Sequence, residues 1–471
     1  MKKNNLLNLA FPLLILLIFI SCNQQGGPSQ FRLSQTGNDL PDEWSSDKNI
    51  RWTYDLQGRG WSSPIVSGDK VFITTAYNET KPPKPEEDAP PPPPPPQPGT
   101  VQIQGPPAGQ GQGQGRPQGT PPPRQEDTTY RHEVYRWDVI CLDLKSGKEI
   151  WKQVARRGNP RTGTNPGNGY AAETPATDGK RVYAYFGMTG LFCYDLNGSL
   201  LWEKDLGAFK TQNSWGTGSS PVLYNGLLYI QVDNEENSFI TALDAITGEE
   251  KWRVQRDEKT SYSTPFIWTN KLRTELVSGG LTFRSYDPAT GNLFWECKVG
   301  GRYSIPSPSA DKEMLYIGNA GGPDKPGNLY AIKAGAKGDI SLADSTVTQN
   351  EWVAWSIPDA GTGNPSPLLY NGRIYLLASR GGDITCFDAA TGKTIYKEKI
   401  DKVAACWASP WVFNDKIYFT DERGITYVFR AGDKFELITQ NRIADKFWAS
   451  PGVGEDAYVF KGVNKVYCVG K

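Results

Sequence analysis

"ALDAITGEEKW", Ala242 to Trp252, runs apolar residues into an aspartate, turns on Thr-Gly and leaves on a tryptophan. Altered copies follow one another along the chain: "CLDLKSGKEIW" (Cys141 to Trp151), "CYDLNGSLLW" (Cys193 to Trp202), "SYDPATGNLFW" (Ser285 to Trp295) and "CFDAATGKTIY" (Cys386 to Tyr396). The aspartate side chain accepts from backbone N–H groups of the turn, and the glycine takes the positive φ that closes it. The last aromatic opens the returning strand and offers a flat face to a neighbour. Each copy is a β-hairpin, and a hairpin repeated this regularly sets the architecture.

A second signal alternates with the first: Ser-Pro or Thr-Pro entering a strand. It occurs at Pro64, Pro175, Pro221, Pro265, Pro308, Pro367, Pro410 and Pro451, each followed by strand, Asn/Asp/Gly turn and strand. Proline at the first residue of a strand removes no ladder hydrogen bond. Eight proline hairpins alternating with eight tag hairpins give four strands per unit, at a pitch of roughly 40 to 60 residues, which is the pattern of a propeller. The expected fold is all-β: an eight-bladed β-propeller of four-stranded antiparallel blades. Tags five ("AIKAGAKGDI" from Ala331) and seven ("VFRAGDKFEL" from Val428) are degenerate, and the eighth stops at "VYCVGK". "NIRWTYDL", Asn49 to Leu56, carries Trp52 as an outer strand should, so the N-terminal strand is expected to complete the C-terminal blade. That closure removes exposed sheet edges.

The N-terminus reads as a targeting segment over residues 1–21. Lys2 and Lys3 precede the apolar run Leu6 to Ile20, which is shorter than the ~20 residues of a membrane-spanning helix. "FISC" resembles a lipobox, making Cys22 the lipidation site and attaching the chain to a bacterial membrane, outer rather than inner, facing the periplasm. Residues 22–46 read as a polar tether and 47–471 as the propeller. Residues 80–128 interrupt blade one with a Pro/Gly/Gln-rich insertion that has almost nothing to bury, so disorder with polyproline character is expected.

Composition narrows the chemistry. Lys plus Arg and Asp plus Glu both number 51, so no strong field favours nucleic acid. His132 is the sole histidine, which argues against His-based metal sites and triads. The Gly-rich "WGTGSS" and "AGTGNPS" lack the Lys-Ser/Thr of a phosphate loop, and no carboxylate pair is assigned to glycoside cleavage. Cys141, Cys193, Cys386 and Cys468 share one tag position, where Ala242, Ser285 and Ala331 also stand, so they read as small packing residues. Cys297 and Cys406 lie off that pattern, and spacing does not say whether they pair; free buried thiols are the expectation.

Function should lie where the repeat breaks. Three residues before the strand-opening proline stand four aromatics, Trp61, Tyr262, Trp407 and Trp448. Three of them come from blades seven, eight and one, neighbours once the ring closes. Gathered at one mouth of the channel, they form a candidate surface for a peptide, an extended segment or a sugar face. Packing between blades is the competing reading.

Tags of the form A-x-D-x-x-T-G-x-x-x-W behind a lipobox make the chain resemble the PQQ-like repeat propellers, over essentially residues 47–471. Within them it is similar to the lipidated eight-bladed kind, the lipoprotein subunit of the outer-membrane β-barrel assembly machinery. The resemblance implies a non-catalytic periplasmic binding platform whose partner is that machinery or another envelope protein. It also raises the namesake enzymes, quinoprotein dehydrogenases, which need calcium, a catalytic aspartate and typically a disulfide between adjacent cysteines. No two cysteines adjoin here, no C-x-x-C-H haem motif occurs, and no calcium set is placed. The reading therefore assigns no cofactor, with a PQQ- and calcium-dependent dehydrogenase or another envelope sugar-active enzyme as the alternative.

Overall fold

A computed structural model describes residues 40–81, 129–165, 167–301, 304–322, 325–361 and 363–471. Among these, eight sheets follow in chain order, each of four antiparallel strands, with a fifth strand added to one. Blade one comprises Ile65–Ser67, Lys70–Asn78, Tyr135–Asp143 and Glu149–Gly158, paired in that order. Blade eight comprises Gly452–Val453, Ala457–Lys461 and Lys465–Gly470, and takes Ile50–Asp55 as its outer strand, with Trp52 opposite Cys468. The N-terminal strand thus closes the ring as the tag count requires.

The tag proves to be a joint between blades. In "ALDAITGEEKW" the Asp244 carboxylate accepts from the N–H groups of Ile246 and Thr247, both at 2.9 Å. Gly248 has φ +73°, and a Cβ placed there would lie 2.8 Å from the Trp202 ring of the preceding blade. Glycine is therefore required twice, for the turn and for the indole lying on it. The indole N–H of one blade then reaches the next blade's tag: Trp52 donates to the Leu144 carbonyl at 2.8 Å, Trp151 to Leu196 at 2.9 Å and Trp252 to Pro288 at 3.0 Å.

The Ser/Thr-Pro signal has a second role that the sequence reading did not see. At six of the eight joints the hydroxyl accepts from the N–H of its counterpart in the preceding blade. Ser63 donates to Thr174, Thr174 to Ser220 and Ser220 to Thr264; further round, Ser307 donates to Ser366, Ser366 to Ser409 and Ser409 to Ser450, all at 2.9–3.0 Å. Buried N–H groups beside a proline have no ladder partner, and this relay around the channel satisfies them.

Two boundaries differ from expectation. After tag five the chain does not return along blade five; Gly338–Asp339 pairs in parallel with Trp295 and Glu296 as a fifth strand of blade four. Blade five's fourth strand is Val353–Ile357, whose Trp355 docks on the Ala389 carbonyl of blade six at 3.2 Å. With tag five lacking the usual acceptor turn, Trp295 folds inward and donates to Glu275 at 2.8 Å. The stretch read as tether, 22–46, also packs at its end: Leu40 and Trp44 are buried, and Trp44 stacks on Tyr418 with centroids 6.3 Å apart. Lipidation at Cys22, the leader, and 82–128 of the insertion lie outside the described residues.

Candidate functional site at the channel mouth

Two bridges fix which face the strand-entry segments share. Arg59 pairs with Ala76 and Phe447 with Gly462, so each entry segment lies against the end of its blade's second strand. The turns from second to third strand, including the one carrying the insertion, therefore open on the same face as the entry aromatics.

Three of the four aromatics meet. Trp61 stacks on Trp407 with centroids 6.2 Å apart at 22°, and meets Trp448 at 5.6 Å and 57°. All three are half-buried, so one side of the group still faces solvent. Trp407 is oriented by donating its indole N–H to Glu422 at 3.0 Å, and the Arg380 guanidinium sits 5.9 Å from its ring centre. The Trp61 indole N–H is buried without a hydrogen-bond partner. Tyr262 does not join them: blade four stands across the ring, where Tyr262 lies beside Gly218 and its N–H donates to Ser304 at 2.8 Å.

Beneath Trp448 the structure reveals a residue that sequence reasoning missed. Lys461 ends the second strand of blade eight at 3% exposure. Its ammonium donates to Ser62 Oγ and to the Thr74 carbonyl of blade one, both at 2.7 Å. No described carboxylate pairs with it, and burial pushes its pKa down to about 7. A shallow cleft beside it is lined by Arg59, Lys446, Trp448, Gly462 and Val463. The available signal was "AYVFKG", a charge ending a strand otherwise apolar.

Glu173 is a second missed group. It stands before Thr174-Pro175, where the other seven repeats have Ser, Pro or Ala. Burial pushes its carboxyl up to about 7, while the Thr217 hydroxyl donating to it pulls the other way. A third buried cluster lies between blades three and four, where Arg256 pairs with Asp233 at 2.8 Å and donates to the Gly279 carbonyl at 3.0 Å. These charges neutralise one another across the blade joint, as a buried pair must. The six described cysteines, Cys141, Cys193, Cys297, Cys386, Cys406 and Cys468, are all free and buried, so Cys297 and Cys406 do not pair. Among the described residues no three His, Cys, Asp or Glu side chains converge as a metal set.

Together the fold and its joints define an eight-bladed β-propeller. Residues 136–304 match the family described as "Outer membrane protein assembly factor BamB". Over 218 residues the chain is 24% identical to the tetrathionate hydrolase of Acidithiobacillus ferrooxidans, a match covering 41% of this chain and 40% of that protein. The chain thus spans well under half of that relative's length. Among solved structures, a europium-containing methanol dehydrogenase superposes at TM-score 0.53 with 12% identity, covering 88% of this chain and 85% of its own. BamB from Moraxella catarrhalis gives TM-score 0.37 at 14% identity, covering 64% and 97%. A computationally designed protein, Ika8, gives 0.50 at 10%, covering 72% and 93%. These likenesses describe fold, which enzymes and a designed scaffold share alike.

Proposed function

We propose that the protein is a non-catalytic binding platform of the bacterial cell envelope, lipid-anchored at Cys22, whose channel mouth grips an extended segment of an envelope protein. The single observation that carries this reading is the tryptophan group of blades seven, eight and one, half-buried and open on one side. Rings fixed by packing lose little entropy on binding, and indoles are the side chains that most often dominate a contact. The match of residues 136–304 to an outer-membrane assembly factor supports a partner in barrel assembly.

The test is affinity capture from envelope membranes with the intact chain and with Trp407→Ala/Trp448→Ala. A folded double variant that loses at least ~10-fold in recovery of one partner supports the platform, that being the scale of a hot-spot loss. Loss of folding, or undiminished capture, refutes it. Saturable binding of PQQ with calcium, accompanied by dye-linked alcohol oxidation, would replace this reading with the quinoprotein one.

A further inference from the structure

Blade seven lacks a part that every other blade has. Opposite the small residue of the tag, the outer strand of each other blade carries Trp or Tyr, as Trp202 faces Cys193, Trp252 faces Ala242 and Tyr396 faces Cys386. Blade seven puts Thr439 opposite Val428. In blades two, three and five the tryptophan packs on a second-strand tyrosine, Trp202 on Tyr183, Trp252 on Tyr229 and Trp355 on Tyr316, with centroids 5.8–6.0 Å apart. The matching tyrosine of blade seven is Tyr418. Trp411 of its own first strand stacks on Tyr418 at 5.5 Å, and a second tryptophan comes from outside the repeat: Trp44, at 6.3 Å and 13°.

Residues 40–46 lie in a groove as a bound peptide would. Trp44 meets Tyr458 and Phe460 of blade eight at 5.6 and 5.7 Å. The buried Asn441 brackets the backbone, donating its Nδ2 to the Asp42 carbonyl at 2.9 Å and accepting the Trp44 N–H at 3.1 Å. The Asp42 carboxylate takes the Lys416 ammonium at 2.6 Å and the Tyr418 hydroxyl at 2.9 Å. Leu40 is buried in the same apolar cluster. Peptide grooves combine these elements, polar groups that hold the backbone and pockets that select side chains.

Two features separate the segment from the ring. Residues 40–44 join no strand, whereas Ile50–Asp55 is paired along Lys465–Gly470. A tight turn, Ser45 bridged to Lys48, and Asn49 at φ +61° stand between the two. The seat is also incomplete, for the Trp44 indole N–H is buried without a partner among the described residues. Trp151 and Trp252 each reach a carbonyl of the next blade's tag, but the tag of blade eight is divided between the chain's two ends. A buried donor left unmade weakens the hold.

We propose that the groove between blades seven and eight is a docking site for an extended Asp-x-Trp segment, and that residues 40–46 fill it in cis as a detachable strap. Its release leaves the closing strand paired and uncovers Tyr418, Tyr458 and Phe460. The inference stands apart from the binding-platform reading, since it uses neither the tryptophan group at the mouth nor a partner protein.

The test uses the full chain carrying Asp42→Ala/Trp44→Ala, which loosens the strap, titrated with a fluorescein-labelled peptide of residues 40–47 and followed by anisotropy. Saturable binding by the folded variant, at least ~10-fold tighter than by wild type, is expected, because a segment tethered in cis competes at millimolar effective concentration. No binding to the folded variant, or equal binding by both proteins, overturns the proposal. Asn441→Ala added to the variant should weaken the peptide at least ~10-fold; unchanged affinity overturns the backbone bracket. Hydrogen exchange on the wild type decides the matter independently of how the variant folds. Residues 40–48 should exchange at least ~10-fold faster than residues 50–55, as a local opening does; one common rate overturns the strap.

Discussion

Replacing Lys461 by methionine should make the protein more stable at neutral pH. The ammonium lies wholly inside, bonded to Ser62 and Thr74, and its pKa falls from the ordinary 10.5 to about 7. At about 1.4 kcal/mol per pH unit, that drop withholds ~4–5 kcal/mol from the native state at neutral pH and below. The sign follows from proton binding: between about 7 and 10.5 the unfolded chain holds the proton that the folded chain has released. The Lys461 contribution to stability therefore rises with pH through that window, by roughly 2 kcal/mol between pH 7 and 9. Methionine fills similar volume without charge. It leaves Ser62 Oγ still bonded to Thr74 Oγ1 at 2.8 Å, so the offsetting loss is about 1–2 kcal/mol. The net gain at pH 7 is about 3 kcal/mol, and it should shrink by roughly 2 kcal/mol by pH 9 as the wild-type lysine sheds its proton. The assay is urea unfolding followed by tryptophan fluorescence at pH 7, 8 and 9, with m-values checked for constancy. Glu173 is still titrating at pH 7, and the buried thiols, raised from 9.0 in the fold, lower stability as pH approaches 9; both contributions are common to the two proteins, so Lys461 is read from the difference between wild type and Lys461→Met. A stability difference between Lys461→Met and wild type that stays constant from pH 7 to 9 refutes the reasoning.

Glu173→Gln should act in the neighbouring window. The folded carboxyl's pKa is raised from 4.5 to about 7, so wild-type stability falls as pH rises between those values, by up to ~3 kcal/mol. Glutamine removes that fall, and unfolding midpoints at pH 5 and 7 check it. Thr174→Val deletes the hydroxyl that accepts from the buried Ser63 N–H at 2.9 Å, costing ~1–3 kcal/mol; thermal unfolding compared with Thr174→Ser, which keeps the acceptor, reads it. Deleting residues 82–128 should leave the fold intact, because Glu79 N–H bonds the Val134 carbonyl at 2.8 Å and Asn78 bonds Glu133 at 3.0 Å across the gap. The shorter loop should raise stability by ~1–2 kcal/mol, measured by unfolding; loss of the native circular dichroism spectrum would contradict it.

What the sequence disclosed was whatever each blade repeats. Asp244, Gly248 and Trp252 announce a hairpin because turn chemistry is local, and eight such units count the blades without any knowledge of contacts. Trp52 announced ring closure for the same reason. Blade five resisted because its tag lacks an acceptor turn, so Trp355, well beyond the end of the tag at Ile340, could not be assigned to it by spacing. Three of the four site aromatics were legible, since blades seven, eight and one adjoin by count; Tyr262 failed on that same count. Lys461 and Glu173 were not legible because a charged residue in a strand reads as solvent-facing until the neighbouring blade is in place.

Trp407 belongs to blade seven, Trp448 and Lys461 to blade eight, Trp61 to blade one and Glu173 to blade two, an unbroken arc on the face where entry segments and second strands meet. Across the ring, the buried charges of blades three and four are spent on one another, Arg256 on Asp233 and Arg284 on Glu258 at 2.9 Å. Ion pairs of that kind hold a joint without needing a ligand. On the arc, by contrast, an indole N–H, an amine and a carboxyl are buried without an opposite charge. A propeller gains nothing in stability from such groups, and eight interchangeable blades offered seven other solutions at each position. Trp61, Trp448 and Lys461 border the seam where blade eight meets blade one, which is why the proposed binding surface is sought at that mouth.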